Sequence, residues 1–531
     1  MKRKNNKYLI QINRKYICKL SKQDISLSCN DCPSGKPSGS KDNPVIIVAD
    51  CFNVDKLVGS KRMTALAGYL SGRGRKPYIV TTHPKLYGTA VEDEALEQEL
   101  SPVRIISRRF LHIYSSKLFQ QYSEKAKKHK TLYGRYARRV KREGWNSPFS
   151  VLLRIYNRIL LSLDNLRADR VYEKALSREK AALGRRYARE VIKIMAASQS
   201  RFTIITSVGG QNGYYEEGPI EMMMILLKKK ANHMLKKKAN HMLKKKLRFD
   251  WVYDMRDKLH SLNASGERNR IAVETEHFIY NHAKYIISVS HGERQSFIEV
   301  LGLTKEEAKK LKVVYNGFKI NKCKEGAITK EPDSRILNIV YTGKTYADRF
   351  HPDMLFEAIA GLITQGLIPR NAIRFHYAGS ESEAMLSVAY KYGCEHCYVN
   401  HGYVTAKESK KLQSDADLLF GIIRNEGCDI GCIPLKIMEY LGEFKPVIVI
   451  ISGKEPGAEI SEILAQTKAG IALEEIDYNT NLIYLKEYLL QQYQAKLTSG
   501  KVVYTGDRDA VLGYSWEQQL MKYLSFIQGG V

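Results

Sequence analysis

Near the end of the chain, Lys436 and Glu439 stand one helical turn apart in the run Gly427–Pro446, GCDIGCIPLKIMEYLGEFKP. That spacing puts both side chains on one face of a helix. A phosphate-seeking cation would then lie beside a carboxylate able to accept hydrogen bonds from sugar hydroxyls. The neighbouring residues predict a tight loop, a helix and a buried strand. Gly427 and Gly431 allow backbone angles closed to other residues, and Pro434 suits a first helical turn. Ile437, Tyr440 and Leu441 recur at helical spacing, and Pro446 opens the apolar run Val447–Ile451. The free N–H groups of such a helix start favour a phosphate, and Lys436 adds a full positive charge. The same residues also read as a glycine-capped helix start with Lys436 and Glu439 in solvent.

Three other groups of residues have chemistry to offer. Asp254, Arg256 and Asp257 close the predicted strand WVYDMRD (Trp251–Asp257), at a carboxyl end, where doubly wound sheets keep their ligands; an internal Asp–Arg pair is the alternative. Gly343 follows the predicted strand Leu337–Tyr341, with Lys344 and Arg349 after it, and Gly379 ends the strand Arg374–Ala378. Asp415 and Asp417 have the Asp-x-Asp spacing of many metal sites, but Asp417 begins a strand, so no metal role is assigned to them. The pairs Cys29/Cys32 and Cys394/Cys397 lie far apart in sequence and in different predicted domains, and no metal site is assigned to them either.

The elements that must position these residues read as two βα series. In the first, the strand Val45–Ala49 leads through a loop to Gly59, a helix carrying Met63, Leu66, Ala67 and Leu70, and the strand Tyr78–Thr82. Gly59 meets the helix start, where a plain loop glycine and a ligand contact are equally open readings; without a GxGxxG motif a dinucleotide site is not indicated. Strands are also expected at Phe202–Thr206, Tyr285–Val289 and near Val313. The second series comes at Leu337–Tyr341, Arg374–Ala378, Tyr398–Val399, Asp417–Phe420, Val447–Ile451 and Ala469–Leu473. The segment GYSWEQQLMKYLSFI predicts a closing amphipathic helix.

The 531 residues suffice for more than one domain; with 44% hydrophobic and 27% charged residues a buried core is expected and global disorder is excluded. The net charge of +29 calls for an anionic partner. Part of it sits in Arg104–Gly144, with thirteen Lys or Arg against two acids and interleaved aromatics, and in the apolar stripe Leu152, Ile155, Ile159, Leu163 and Leu166 flanked by arginines. Such helices suit an anionic membrane surface, although a solvated face is the commoner meaning of a charge run. An internal repeat, LKKKANHM at Leu227–Met234 and again at Leu235–Met242, reads either as a second surface-seeking helix or as a tract duplication. No nucleic-acid recognition motif accompanies the charge, so nucleic acid is not expected as a partner. With no apolar segment of signal or membrane-span type, a cytoplasmic chain, peripheral at the inner face of the membrane, is expected.

Two βαβ domains with their ligand ends facing a cleft form a GT-B arrangement, and several motifs resemble those of the retaining glycosyltransferases of family 4. They are YTGKTYADR, the HGYV turn at His401–Val404, IPLKIMEYLGEFKPVI, the junction ISVSHGERQSF…VVYNGF, and the closing YSWEQQ helix. The resemblance covers roughly Val45 to the end. It implies an α/β fold of two Rossmann-like doubly wound domains. Residues 1–44 would be a basic tail, 45–318 the acceptor-side domain, 319–334 a linker, 335–510 the nucleotide-sugar domain, and 511–531 a helix crossing back. Lys344 and Arg349 stand where the family places an Arg and a Lys that grip the donor diphosphate, with the identities exchanged. Glu439 matches the glutamate that holds the ribose, and His401, Gly402, Tyr403 and Val404 the turn that meets the base. Gly431 stands where the family has another glutamate, with Glu426 or Asp429 as replacements, or backbone amides alone. Gly343, Gly379, Ile433, Pro434 and Leu435 complete the expected donor site, and Gly59, Asp254, Arg256 and Asp257 the acceptor side.

The resemblance thus implies sugar transfer from a nucleotide sugar to a lipid-linked or polysaccharide acceptor. The transfer is expected to be metal-independent, with Lys344, Arg349 and Lys436 stabilising the leaving diphosphate. A sugar-nucleotide epimerase on the same fold and a non-catalytic scaffold remain as rivals.

Overall fold

Among the described residues thirteen short strands, most of them apolar runs too brief for helices, find their partners in two all-parallel sheets. The computed structural model describes residues 43–54, 58–83, 91–105, 183–198, 200–208, 220–221, 223–229, 247–260, 267–320, 335–344 and 352–527. The tail before residue 43, most of the basic segment Arg104–Gly144, the stripe Leu152–Leu166, most of the LKKKANHM repeat, most of the 319–334 linker, Arg349 and the pair Cys29/Cys32 lie outside the described residues.

The first sheet runs in the order β3-β2-β1-β4-β5-β6-β7: Val103–Ile105, Tyr78–Thr82, Val45–Ala49, Phe202–Val208, Phe249–Met255, Tyr285–Ser288 and Leu311–Val313. The second runs β10-β9-β8-β11-β12-β13: Tyr398–Gly402, Ile373–Ala378, Leu337–Thr342, Leu418–Arg424, Val447–Ser452 and Gly470–Glu474. Each order reverses once, between β1 and β4 and between β8 and β11. Crevices form beyond the carboxyl ends at such reversals. The near-continuous apolar runs of β1 and β12, buried at every position, are what a sheet covered on both faces demands.

Among the described residues, helices α1 (Val58–Ser71), α2 (Glu94–Leu100), α3 (Glu267–His282) and α4 (His291–Leu301) belong to the first sheet, with further helical segments at 183–196 and 223–229. Around the second sheet lie α5 (Asp353–Thr364), α6 (Ser382–Lys391), α7 (Ala406–Asp415), α8 (Leu435–Leu441), α9 (Glu459–Thr467) and α10 (Tyr478–Ser499). The short α11 (Arg508–Leu512) leads to α12 (Trp516–Ile527). In α12, Leu520, Tyr523, Leu524 and Ile527 pack with Val45, Ile47, Met63 and Leu66 of the first sheet's layer, so this closing helix is buried against the other domain.

Three features differ from the expectations or add to them. β10 runs on to Gly402, beyond the expected end at Val399, so His401 lies on an edge strand and the chain turns at Gly402. The 22-residue α10 was not anticipated; Leu482, Leu485, Leu489 and Tyr493 turn one face into the core, and Gly500 ends it with φ 73°. Leu227, the first residue of the lysine repeat, is packed into the core with Met223 and Met224, and the repeat beyond Lys229 lies outside the described residues. Among the described residues no helix is long and apolar enough to cross a membrane.

Candidate functional site

The site is built from the bottom by Tyr440. Its buried hydroxyl donates to the Thr342 carbonyl at 3.2 Å and accepts from the Thr342 N–H at 3.0 Å, tying α8 to the end of β8. Gln413 of α7 donates to the Thr342 Oγ1 at 2.9 Å from the other side. Lys436 lies one turn before Tyr440 on the same face. Its ammonium therefore arrives beside the neighbouring residue of β8: Nζ donates to the Tyr341 hydroxyl at 2.7 Å, stands 4.3 Å from the Tyr341 ring centroid, and reaches the Lys344 carbonyl at 3.4 Å. The Tyr341 hydroxyl in turn donates to that carbonyl at 3.0 Å. Lys436, Gly343 and Lys344 are thus brought together at the carboxyl end of β8, on the sheet's reversal. Gly343 has φ 122°, and the β9 end at Gly379 comes so close that a Cβ there would strike the Gly343 carbonyl.

Further along the same rim, His401 on β10 stacks on His376 of β9, Nε2 to Nδ1 at 3.0 Å. His376 Nε2 faces the Asn338 Oδ1 at 3.1 Å. That oxygen only accepts, so His376 carries its proton on Nε2 and accepts from His401 through Nδ1. Burial and the neighbouring imidazole push the His376 pKa down to about 4, and burial lowers that of His401. Beyond them Gly402 turns with φ 62°, Tyr403 is 71% exposed and Val404 half-buried. Asp417 is occupied elsewhere, accepting from the Asn338 N–H at 2.7 Å and from Lys496. Cys394 and Cys397 are buried, their thiols directed at backbone carbonyls.

The first domain supplies the opposite wall, and here sequence reasoning missed most of what matters. Lys61 on α1 reaches across to Glu439, Nζ to Oε1 at 2.6 Å. Ser290 donates to the Gly431 carbonyl at 2.6 Å and Lys258 to the Ile430 carbonyl at 3.0 Å. Glu459, in the first turn of α9, accepts from the His291 and Gly292 N–H groups, each at 2.9 Å, and from the Tyr315 hydroxyl at 2.6 Å. A carboxylate there satisfies orphan donors at the start of α4 and meets the positive end of its dipole. Between these contacts Glu293 is 3% exposed, with one oxygen lacking a hydrogen-bond partner; burial, then the nearby Asp257, lift its pKa well above the carboxylate range. The only sequence signals were the acids in the first turns of α4 and α9 and a lysine just after Gly59.

The expected acceptor-side residues form the floor beneath that wall. Asp254 is fully buried and takes two hydrogen bonds from Arg62 Nε, at 2.9 and 3.1 Å, and one from Ser207 at 2.9 Å. It is an internal Asp–Arg pair, with Arg62 as the partner. Arg256 pairs with Asp50 at 2.9 Å and bonds the Gly59 carbonyl, which locks the Gly59 loop to the end of β5. Burial raises the Asp257 pKa against the lowering by Arg256.

At the position of the missing glutamate, Gly431 has φ 77°, and a Cβ there would stand 2.5 Å from the Gly292 Cα and 2.7 Å from the Glu293 N. Glu426 and Asp429 both lie by Arg424, at 3.1 and 3.8 Å. Ile433 is buried in the core beside α8, Leu435 is buried as the first residue of α8, and Pro434 precedes that helix with no side-chain cap. A separate hollow of about 350 Å³ opens at the amino ends of β12 and β13, between α9, α10 and residues 503–505, on the opposite edge of the sheet from Lys436.

No protein-family model matches the chain, and no curated protein matches it. Solved structures do. An alpha,alpha-trehalose-phosphate synthase (UDP-forming) from Burkholderia vietnamiensis aligns over 91% of this chain and 98% of its own, at 12% identity and a TM-score of 0.50. OtsA aligns over 92% and 100% at 10% identity and 0.49, and the lipopolysaccharide outer core galactosyltransferase WaaB over 91% and 99% at 10% identity and 0.47. At such identities the likeness establishes the fold: GT-B, two Rossmann-like doubly wound domains facing across a cleft.

Proposed function

We propose that this protein is a retaining glycosyltransferase that moves a sugar from a nucleotide-sugar donor to a lipid-linked or polysaccharide acceptor. The observation that carries the reading is the meeting of Lys436 with the Gly343–Lys344 end of β8, one helical turn from Glu439, on the reversal of the second sheet. A diphosphate seated there faces two lysines; Arg349 is expected to add a third cation. The ribose hydroxyls take Glu439, and the base lies toward His401–Val404. As the anomeric carbon–oxygen bond to the phosphate breaks, these cations stabilise the growing charge in a preorganised site. The acceptor oxygen bonds to the same face of that carbon, and its proton passes to the departing phosphate oxygen, so no dedicated base and no metal are invoked.

Two features support a glycan-building role at a membrane surface: the net charge of +29 and the basic segment Arg104–Gly144. The donor sugar is held without the glutamate expected at position 431, by Glu426 or Asp429 or by backbone amides alone. The non-catalytic scaffold draws on that same glycine. Thermal stabilisation by UDP-, GDP- and ADP-sugars, followed by transfer assays with the donor that binds, tests the proposal. Stabilisation by one donor class is expected, with sugar transfer that an epimerase would not need; no stabilisation by any of them overturns it.

A further inference from the structure

Lys61 sits between two anchored residues. Ser60 is fully buried, with its hydroxyl donating to the Val54 carbonyl at 3.1 Å and accepting from the Val54 N–H at 3.2 Å. Arg62 is 2% exposed, locked to Asp254 and donating to the Tyr315 carbonyl at 3.0 Å. The first turn of α1 is therefore rigid, and Lys61 turns the other way, out of the first domain. About a third of its side chain is exposed, and its ammonium meets Glu439 of the second domain. Helix residues three apart are neighbours, so Glu439 holds that ammonium within one turn of Lys436.

We propose that Lys61 is a donor ligand contributed by the first domain, one that waits on Glu439 and passes to the diphosphate when the nucleotide binds. The inference rests on the nucleotide-sugar reading of the same site. Its physical basis is an exchange of partners. A ribose that takes Glu439 with its hydroxyls competes with Lys61 for the carboxylate oxygens. The displaced ammonium is left within one turn of Lys436, where a pyrophosphate offers it a new anionic partner. About a third of Lys61 and a quarter of Glu439 remain in solvent, so a ligand entering the cleft can reach both partners of the pair. The rigid backbone on either side of Lys61 keeps its reach fixed, so the cation is presented only when the two domains face each other.

Titration calorimetry of the full chain with UDP, GDP and ADP, and with the matching monophosphates, tests this. The variants are Lys61→Ala and Lys61→Met, the second keeping the apolar stem should alanine loosen α1. For whichever base binds, both variants are expected to weaken the diphosphate at least tenfold and the monophosphate clearly less. Tighter binding of the diphosphate by the variants would mean that Lys61 merely blocks Glu439. Unchanged affinity, or equal losses for mono- and diphosphate, would also remove Lys61 as a diphosphate ligand while leaving the nucleotide-sugar reading intact. Failure of the unsubstituted protein to bind any of the six nucleotides would overturn both.

Discussion

Gly292 and Gly431 touch backbone to backbone across the cleft, with no room for a side chain on either: a Cβ on Gly431 would stand 2.5 Å from the Gly292 Cα. Gly431 also needs φ 77°, a region where other residues are strained by about 1–3 kcal/mol. Gly431→Ala is therefore expected to separate the domains as well as to destabilise the loop. Small-angle scattering should show a larger radius of gyration for the variant. Gly431→Glu, which writes in the residue expected from the family, should behave worse, because the space for that carboxylate is filled by α4. A variant as compact as the parent would show that the contact does not hold the domains together.

Lys436→Ala removes a cation whose partners are Tyr341 and the Lys344 carbonyl. Losing one preorganised group that stabilises developing charge lowers kcat by roughly 100-fold. The folded protein should lose only about 1 kcal/mol, the worth of one hydrogen bond or cation–π contact. Steady-state transfer rates, set beside chemical unfolding, separate the two effects; a large stability loss with normal turnover would make Lys436 structural.

Asp254 and Arg62 are both buried, at 0% and 3% side-chain exposure. Asp254→Ala leaves an unpaired guanidinium in the interior and is expected to cost about 3–5 kcal/mol. Replacing both, as Arg62→Met with Asp254→Leu, should cost less than the single change, since the uncompensated charge is gone too. Denaturant unfolding of the three proteins checks the order, and a double variant weaker than Asp254→Ala would refute this account of the pair.

His376 makes one contribution to the pH response whose sign is fixed by its surroundings. Its pKa is near 4 in the folded protein against 6.5 for a free imidazole. Below pH 6.5 the unfolded chain takes up a proton at His376 that the folded one refuses, so the contribution of His376 to stability falls as pH drops from about 6.5 to 4 and levels off below. His376→Asn should flatten the part of the melting-temperature profile that lies in this window. A profile unaltered by the substitution in this window would contradict a buried, neutral His376.

Legibility in the sequence followed the range of the interactions. β1 and β12 stood out because a parallel sheet covered on both faces needs near-continuous apolar runs, and α8 because Ile437, Tyr440 and Leu441 mark one buried stripe. α10 escaped notice because its buried Leu482, Leu485 and Leu489 are set among exposed Ile483 and Tyr484, which blurs the stripe. The same local logic located Lys436 and Glu439 on one helical face. Arg62, Lys61, Glu293 and Glu459 carried no such mark: a charged residue in the first turn of a helix looks alike whether it faces water, a buried acid or another domain.

From its own residues, then, the chain determined two βα series, their carboxyl-end loops and a cluster of cations near the second. Tertiary structure alone decided which charges meet. Asp254 took Arg62 rather than Arg256, Glu439 took Lys61 from 378 residues away, and Gly431 gave its side-chain space to the opposing helix. The reason is physical. Periodicity reports only which face of an element is apolar, whereas the partner of a charge depends on which elements the packed sheets bring within a few ångströms of it.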